Sequence, residues 1–524
     1  MKVLVLLLAA ISTTYGNHIL CVFPIPSHSH NQLGKGIVDA LLNNGHTVTW
    51  LTPYPDKVGK NPPKTLNIVD VSETQKFVQG VDMTLTRNVE RGISYVKEFS
   101  NNITKTVMTK DSVVELLIKK QFDAVVTESF FSDVMAGVAA VQQVPWILLS
   151  GVQLMPMMEG QIDEVRSLST IPLMFNPASI PMTFKERALN FIIYFFMAFS
   201  NWRERPAIAA TYERIFSPIA SARNVPLPPF EEAYHNVSIL FLNSHESLSP
   251  TFSMPPNAIS IAGYHIDENP PPLPKDLQDL LDNSKKGFIY FSMGSVVRSA
   301  ALKPHTRQAL LAIFAKLPYT VLWKFEEQLS EKLPPNVHIR PWMPQLSVLA
   351  HPNIKLFITH GGQLSSLEAV RAGVPLLALP VFGDQPANAE RARKAGFGLK
   401  VPFHDNMAPE VEVALKEMLS NTTYTEKVKF LSKLFRARPA PPSKLIPHYI
   451  ELAIETKGAY HLRSLSLRYS WVERWMLDFV LLVLAALGLL LTLVTFAFKA
   501  CLRKLTGKTK SSKPEKKDSK KKRN

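Results

Sequence analysis

Through the first half of the chain, short apolar runs alternate with stretches whose apolar positions recur every three or four residues. The runs predict strands over 18–23, 47–51, 66–71, 124–127, 146–149 and 239–242; the helical spacing predicts helices over 33–43, 112–120 and 131–142. Strands that alternate with helices build a parallel sheet covered on both faces. A proline-rich stretch, with Pro250, Pro255, Pro256, Pro270, Pro271, Pro272 and Pro274, breaks the pattern. It then restarts. Strands are predicted over 287–291, 320–324, 337–340, 354–359 and 375–380, with a helix over 306–317 and another that ends at Ala372, where Gly373 stops it. The chain reads as two α/β domains, 17–250 and 287–455, joined by a linker over 251–286.

Three stretches depart from this alternation. Residues 1–16 combine Lys2, an apolar run and small or polar residues up to Gly16, the pattern of a secretory signal peptide whose run is too short to span a bilayer. Residues 479–498 carry no charge and are long enough to span. A transmembrane helix is therefore expected over 477–498, after a juxtamembrane segment at 456–476. Residues 188–202, ALNFIIYFFMAFSNW, are apolar nearly all round. They suit either a membrane-dipping helix, widening access for lipophilic molecules, or a buried core helix.

Charge assigns sides to the span. The chain has a net charge of +16, and residues 499–524 hold twelve Lys or Arg against Glu515 and Asp518. Ten of the sixteen net charges thus lie in the tail, which faces the cytosol by the positive-inside rule and leaves the body lumenal. A basic balance confined to a tail is no argument for nucleic acid. The final Lys521-Lys522-Arg523-Asn524 is similar to a dilysine retrieval signal, which points to a single-pass type I protein of the endoplasmic reticulum membrane. Sequons at Asn102, Asn236 and Asn421 permit glycosylation of a lumenal body. The two cysteines, Cys21 and Cys501, fall on opposite sides of the membrane, so no intrachain disulfide is expected. Cys501 is either palmitoylated or a plain thiol.

The chemistry concentrates in 357–385. His360-Gly361-Gly362 closes one predicted strand and Gly383-Asp384-Gln385 follows another, and ligands of open α/β sheets bind beyond the carboxyl ends of strands. Glycines admit a ligand close to the backbone, and the N–H groups that open a helix favour anions. Ser365 and Glu368 lie three apart on one helix face. An anion cradle, a hydroxyl and two carboxylates suit a nucleotide diphosphate that carries a sugar. No GxGxxG follows the first strand, which speaks against a nicotinamide or flavin dehydrogenase. No Asp-x-Asp pair is present to hold a divalent ion, so no metal is expected.

Phe357-Ile358-Thr359-His360-Gly361-Gly362, Ser365, Glu368, Pro375-Leu376-Leu377, Pro380 and Asp384-Gln385 together resemble the signature of the UDP-glycosyltransferase family. Gly263-Tyr264-His265-Ile266 and Tyr460-His461-Leu462-Arg463-Ser464 are similar to insect membrane-bound members. The resemblance implies an α/β chain of GT-B fold, two Rossmann-like domains facing across a cleft, plus one C-terminal transmembrane helix. It implies inverting, metal-independent transfer of a hexose from a UDP-sugar, with UDP-glucose as co-substrate and no further cofactor. The acceptor would be a small lipophilic hydroxyl compound such as a phenol or xenobiotic. Alternatives are an endogenous lipid or ecdysteroid acceptor, or a UDP-sugar-binding membrane protein without activity; a homo-oligomer is left open.

The family's residues carry over one by one. Its catalytic His lies sixteen residues before the His of a Gly-His pair, here Gly45-His46, which selects His30. Its orienting carboxylate follows Phe122-Asp123 and a strand, which selects Glu128; vertebrate members have the shorter Asp there. Trp342 would stack on uracil, and Gln345 would bond the base or ribose. Glu368 would accept from the ribose hydroxyls. His360, Gly362, Ser365 and Ser295, with Ser292, Gly294 and Gly361 in the same turns, would hold the diphosphate. Asp384 and Gln385 would bind the sugar. Leu364 stands where many members have Asn, so Arg298 is expected to supply a phosphate contact. Segments 80–110 and 150–215 would build the acceptor pocket.

Overall fold

A computed structural model describes residues 16–507, apart from 60, 79–85, 164–166, 174–175, 177, 179–180, 250–252, 296 and 330. The expected signal peptide, but for Gly16, and Lys521-Lys522 of the expected retrieval signal lie outside the described residues. The chain divides into a body ending at Ser464 and a unit that begins at Leu465.

The body holds two parallel sheets. In the first, β1 (His18–Val22), β2 (Thr47–Thr52), β3 (Leu66–Asp70), β4 (Ala124–Glu128), β5 (Trp146–Ser150), β6 (Val237–Leu242) and β7 (Ala258–Ser260) lie in the order β3-β2-β1-β4-β5-β6-β7. Strands β4, β5 and β6 are buried along their whole length, which explains why they read as unbroken apolar runs. In the second sheet, β8 (Phe288–Ser292), β9 (Thr320–Lys324), β10 (Val337–Arg340), β11 (Ile354–Thr359), β12 (Leu376–Ala378) and β13 (Gly398–Lys400) lie in the order β10-β9-β8-β11-β12-β13. Both sheets reverse their winding between a central pair, β1 beside β4 and β8 beside β11. Connections leave such a pair toward opposite faces and open a crevice at its carboxyl end.

Several boundaries differ from the sequence reading. Strands β7 and β13 span three residues each, too short to show a period, and β7 lies in the stretch expected as a linker. Helix α1 (His28–Leu42) begins at His28 rather than Leu33. Ser27 occupies its N-cap with extended backbone, and the first turn is polar because it faces the crevice. A long helix not read from the sequence, α2 (Thr86–Met108), follows β3. Helix α3 (Phe184–Arg223) runs for 40 residues and encloses 188–202. It opens on a capping box: Thr183 N–H donates to Glu186 Oε2 at 2.7 Å, while Glu186 N–H returns a bond to Thr183 Oγ1 at 3.4 Å. Phe191, Phe195, Phe196, Phe199 and Trp202 of 188–202 are exposed, so this is no buried core helix.

In the second sheet, α4 (Gln363–Ala372) leaves β11 and α5 (Gln385–Lys394) follows β12. Helix α6 (Pro442–Glu455) belongs to the range expected as the second domain but returns to the first. Its Ile446, Ile450 and Ala453 join a core with Ile19, Ile37 and Leu41, and its Glu451 Oε1 lies 3.0 Å from His46 Nε2. Arg463 then donates to Asn236 Oδ1 and Ser238 Oγ, at 2.7 and 2.9 Å.

In the second unit, α7 (Leu477–Leu505) has 29 residues and a mean hydropathy of 2.8 in its most apolar window, long and apolar enough to cross a membrane. At 1.5 Å per residue it extends about 43 Å, against a hydrocarbon core of about 30 Å.

Candidate functional site

The two carboxyl ends face a shared cleft of about 1670 Å³. On the first sheet's side, Pro24-Ile25-Pro26 carries the chain from β1 into α1 and sets His28 and His30 in its first turn. Glu128 is the last residue of the neighbouring strand β4, where Val22 pairs with Thr127. The strand order therefore brings the two groups together. His30 Nδ1–H donates to Glu128 Oε1 at 2.5 Å, which assigns the tautomer, and the other ring nitrogen is left for the cleft. The Phe130 ring holds the imidazole from the side, 4.6 Å between centroids at 75°. Glu128 is buried, and its Oε2 has no hydrogen-bond partner among the described residues.

Among the described residues, no carboxylate bonds to His28. Its ring stacks on Tyr54, and Lys57 Nζ lies 3.0 Å from its Nδ1. Burial, then the charges of Lys57 and Lys324, hold its pKa below the usual value. Of the two histidines, the geometry equips His30 as a base.

On the second sheet's side, Gly294 and Gly362 enclose the His360 ring. A Cβ on Gly294 would come within 2.6 Å of its Cε1, and one on Gly362 within 2.5 Å of its Nε2. Burial, and then the charge of Lys324, push His360 down to about 4, so its ring is neutral at pH 7. Lys324 closes β9. It donates to Gly294 O at 2.9 Å and pairs with Glu326 at 2.7 Å. Beside this cradle, Gln345 Nε2 donates to Ser365 Oγ at 3.1 Å and Glu368 Oε2 at 2.6 Å, while Tyr290 O–H donates to Gln345 Oε1 at 3.4 Å. Burial raises Glu368 to about 7, although the Gln345 bond opposes the shift.

Trp342 is 60% exposed at the rim, with Lys324 Nζ and Lys57 Nζ each 5.7 Å from its ring. Its indole face is open to a planar ligand. Asp384 accepts from Asn388 Nδ2 at 2.6 Å, and the same amide donates to Gly361 O at 3.0 Å. Burial raises the Asp384 carboxyl above its usual range. Gln385 Oε1 accepts from the backbone of Val381 and Phe382, at 2.8 and 3.2 Å, which leaves Nε2 as its donor. Ser292 Oγ accepts from Gly294 N–H at 3.3 Å, and Ser295 lines the cleft.

Some expected partners are engaged elsewhere. Arg298 lies at the rim but pairs with Glu327 at 2.8 Å, both more than half exposed. Leu364 lines the cleft and packs against the first sheet's core, and its side chain has no donor for a phosphate. Gln363 donates to Asn243 O at 3.0 Å and ties α4 to the first half. Asn102 and Asn236 are exposed and Asn421 half-buried.

Four residues at the site were not assigned to it from the sequence, although Tyr264 and His265 had been noted as part of the resemblance. Lys324 carried a signal, a lone cation closing an apolar strand, but its target depends on the neighbouring loop. Tyr290 was hidden in an apolar run. Tyr264 and His265 reach the cleft from the turn after β7. The Tyr264 hydroxyl and both His265 ring nitrogens are buried without a hydrogen-bond partner among the described residues, and His265 Nε2 lies 3.7 Å from Glu368 Oε1. One part of the cleft wall is apolar, with Phe77, Tyr95, Phe99, Phe131, Val152 and Met155, whereas Lys35, Asp39, Arg371, Arg436 and Arg438 line another part. Among the described residues of the expected acceptor segment 150–215, only Gly151, Val152 and Met155 reach the cleft; none of α3 does. No set of three or more His, Cys, Asp or Glu is grouped for a metal ion among the described residues.

Comparisons with known proteins agree with this geometry. A family model described as "UDP-glucoronosyl and UDP-glucosyl transferase" matches residues 19–512. "UDP-glucosyltransferase 2" of Dactylopius coccus is 30% identical over 528 residues, covering 98% of this chain and 99% of its own. "UDP-glucuronosyltransferase 1A9" of Mus musculus is 28% identical over 500 residues, covering 92% and 91%. Among solved structures, the calicheamicin glycosyltransferase CalG4 superposes with a TM-score of 0.56 at 18% identity, covering 84% of this chain and 98% of that one. The spinosyn forosaminyltransferase SpnP gives 0.56 at 16%, covering 84% and 99%. At such identities the structural likeness speaks for the fold, the two facing parallel sheets of GT-B.

Proposed function

The chain belongs to the family of UDP-glucuronosyl and UDP-glucosyl transferases, and we propose that it transfers glucose from UDP-glucose to a hydroxyl of small lipophilic acceptors, with inversion. The observation that carries this reading is the His30–Glu128 pair, held on one wall of a cleft whose opposite wall carries the His360 cradle. In the proposed step, His30 Nε2 takes the acceptor's hydroxyl proton, and Glu128 stabilises the imidazolium that forms. The acceptor oxygen bonds to the anomeric carbon as the bond to the β-phosphate oxygen breaks, and UDP leaves from the opposite face. One displacement inverts the configuration.

The leaving diphosphate gains negative charge, which the α4 N-terminus, Ser295 and His360 meet with donors. Lys324, close to this loop and away from solvent, supplies the positive charge that the sequence reading assigned to Arg298. Trp342 and Gln345 take the uracil, Glu368 the ribose, and Asp384 and Gln385 the sugar hydroxyls. The apolar wall favours phenols and other lipophilic acceptors, in keeping with detoxification. Glucose is favoured by the name of the Dactylopius relative. The proposed setting is the endoplasmic reticulum membrane, with the body lumenal and α7 as anchor; glycans on Asn102, Asn236 and Asn421 suit that side.

Microsomes carrying the full chain test this. Turnover of a phenol with UDP-glucose, lost in His30→Ala, is the expected result. Turnover with UDP-glucuronate alone would overturn the choice of sugar; selective glucosylation of a steroid or lipid alcohol would overturn the choice of acceptor. UDP binding with no transfer to any acceptor would leave a sugar-nucleotide-binding protein in place of an enzyme.

A further inference from the structure

Helix α3 is built inside out for a helix in water. Over its first half several uncharged polar residues, with Glu204 after them, point into the protein. Asn190 is fully buried; its Nδ2 donates to the carbonyls of Leu168 and Ile171, and its Oδ1 accepts from Leu173 N–H and Asn176 Nδ2. Ser200, Asn201 and Glu204 all turn to Lys97 Nζ, at 3.4, 2.8 and 2.9 Å. Met197 and Ile193 join the core, but the other large apolar residues point the other way. Phe184, Ile192, Phe196, Phe199 and Trp202 are 60–76% exposed, and Phe191 and Phe195 are just over half exposed. Their spacing keeps them on one stripe of the helix. A soluble surface rarely carries so much contiguous apolar area without a partner.

We propose that this face of α3 lies in the interfacial layer of a lipid bilayer. Three observations select lipid over a protein partner. The chain supplies its own reason to meet a membrane, in a 29-residue helix apolar enough to cross one. The stripe mixes Phe, Ile and Trp, residues that favour the boundary between headgroups and acyl chains. Exposed Lys185 and Arg187 stand at one end and Arg203 at the other, placed to meet lipid phosphates. From 184 to 202 the stripe is about 27 Å long at 1.5 Å per residue, enough for an in-plane anchor.

The seating has a consequence inside the body. Lys97, which α3 clamps, belongs to α2, and α2 also carries Tyr95 and Phe99 of the apolar cleft wall. The lipid contact is therefore one salt-bridged step from the proposed acceptor side, although it does not depend on which reaction the cleft performs.

The test uses the full chain with Cys501→Ser, since Cys21 is buried and will not label. An environment-sensitive fluorophore is attached at Phe196→Cys, or at Trp202→Cys in a second variant, and the protein is reconstituted in nanodiscs. Val413→Cys, exposed on a helix of the body, is the control. Lipids brominated in the upper acyl chain should quench both α3 probes several-fold more than the control and shift their emission to the blue. UDP binding measured on each variant confirms an intact body. Quenching no greater than at Val413→Cys would overturn the proposal. So would a blue shift that ignores bromolipid and grows with protein concentration, because a second copy of the chain would then cover the face.

Discussion

His28 and His30 stand two positions apart in one helical turn, and their neighbours give them different chemistry. Glu128 holds one ring, whereas Tyr54 and Lys57 occupy the other. On the proposed mechanism His30→Ala lowers kcat by about 10²–10⁴-fold, the usual cost of losing a general base. Glu128→Gln acts in the same direction, His28→Ala stays close to the parent, and UDP affinity is unchanged in all three; steady-state rates and a UDP titration check this. Glu368 makes a second prediction. It keeps its proton up to about pH 7 in the fold, against a reference value of 4.5. Between those values the folded chain binds more protons than the unfolded chain, so this group's contribution to stability falls as pH rises through the window. Ligand binding runs the other way, because ribose hydroxyls donate to the ionised carboxylate. UDP affinity should climb by up to about tenfold per unit below pH 7 and level off above it. Calorimetry from pH 6 to 8 reads the slope, and Glu368→Gln should flatten it.

At the scale of elements, the turn between β11 and α4 does the most with the fewest atoms. Gly362 has extended backbone open to any residue, φ −63° and ψ 153°, and the three atoms nearest to a Cβ placed there all belong to the His360 ring. Gly294 adds a left-handed φ of +84° to the same contact. Gly362→Ala should therefore displace the ring with little loss of fold. A drop in kcat of about 10²-fold or more, the scale of one lost oxyanion donor, is expected with a nearly unchanged Tm. A large fall in Tm with kcat intact would show that the glycine serves packing only. Helix α6 is a different kind of element. It follows the second sheet in sequence, yet it buries Ile446, Ile450 and Ala453 in the first half's core. It straps one half to the other.

That strap changes the expectation for the whole molecule. The proposed donor residues, from Ser292 to Gln385, lie in the second half, so a fragment over 255–455 would hold all of them. With α6 cut from its partner, such a fragment presents an unpaired apolar face. We expect 255–455 to self-associate and 255–441 to remain dispersed, with the shorter one showing the better UDP titration; size-exclusion chromatography separates the outcomes. The proposed topology carries its own test. Protease added to sealed microsomes should remove the tail beyond α7 and spare the body, whereas digestion of the body would reverse the orientation.

What the sequence determined by itself was local. Burial on both faces makes a parallel strand a continuous apolar run, so most strands of both sheets and the apolar helix α7 were legible without neighbours. The proposed donor motif was legible too, because His360, Gly361, Gly362, Ser365 and Glu368 leave a single strand end within nine residues. The two short strands and α2 were missed, the first for want of length. The His30–Glu128 contact came from resemblance alone, since 98 residues separate the two and only the adjacency of β1 and β4 brings them to 2.5 Å. Lys324 and His265 entered the site in the same way, from a strand end and a turn distant in sequence. For α3 the sequence supplied an apolar helix and no direction. Which side of a helix meets the protein is set by the partners that claim its polar residues, and here the loop around Asn190 and the ammonium of Lys97 turned the aromatic side out.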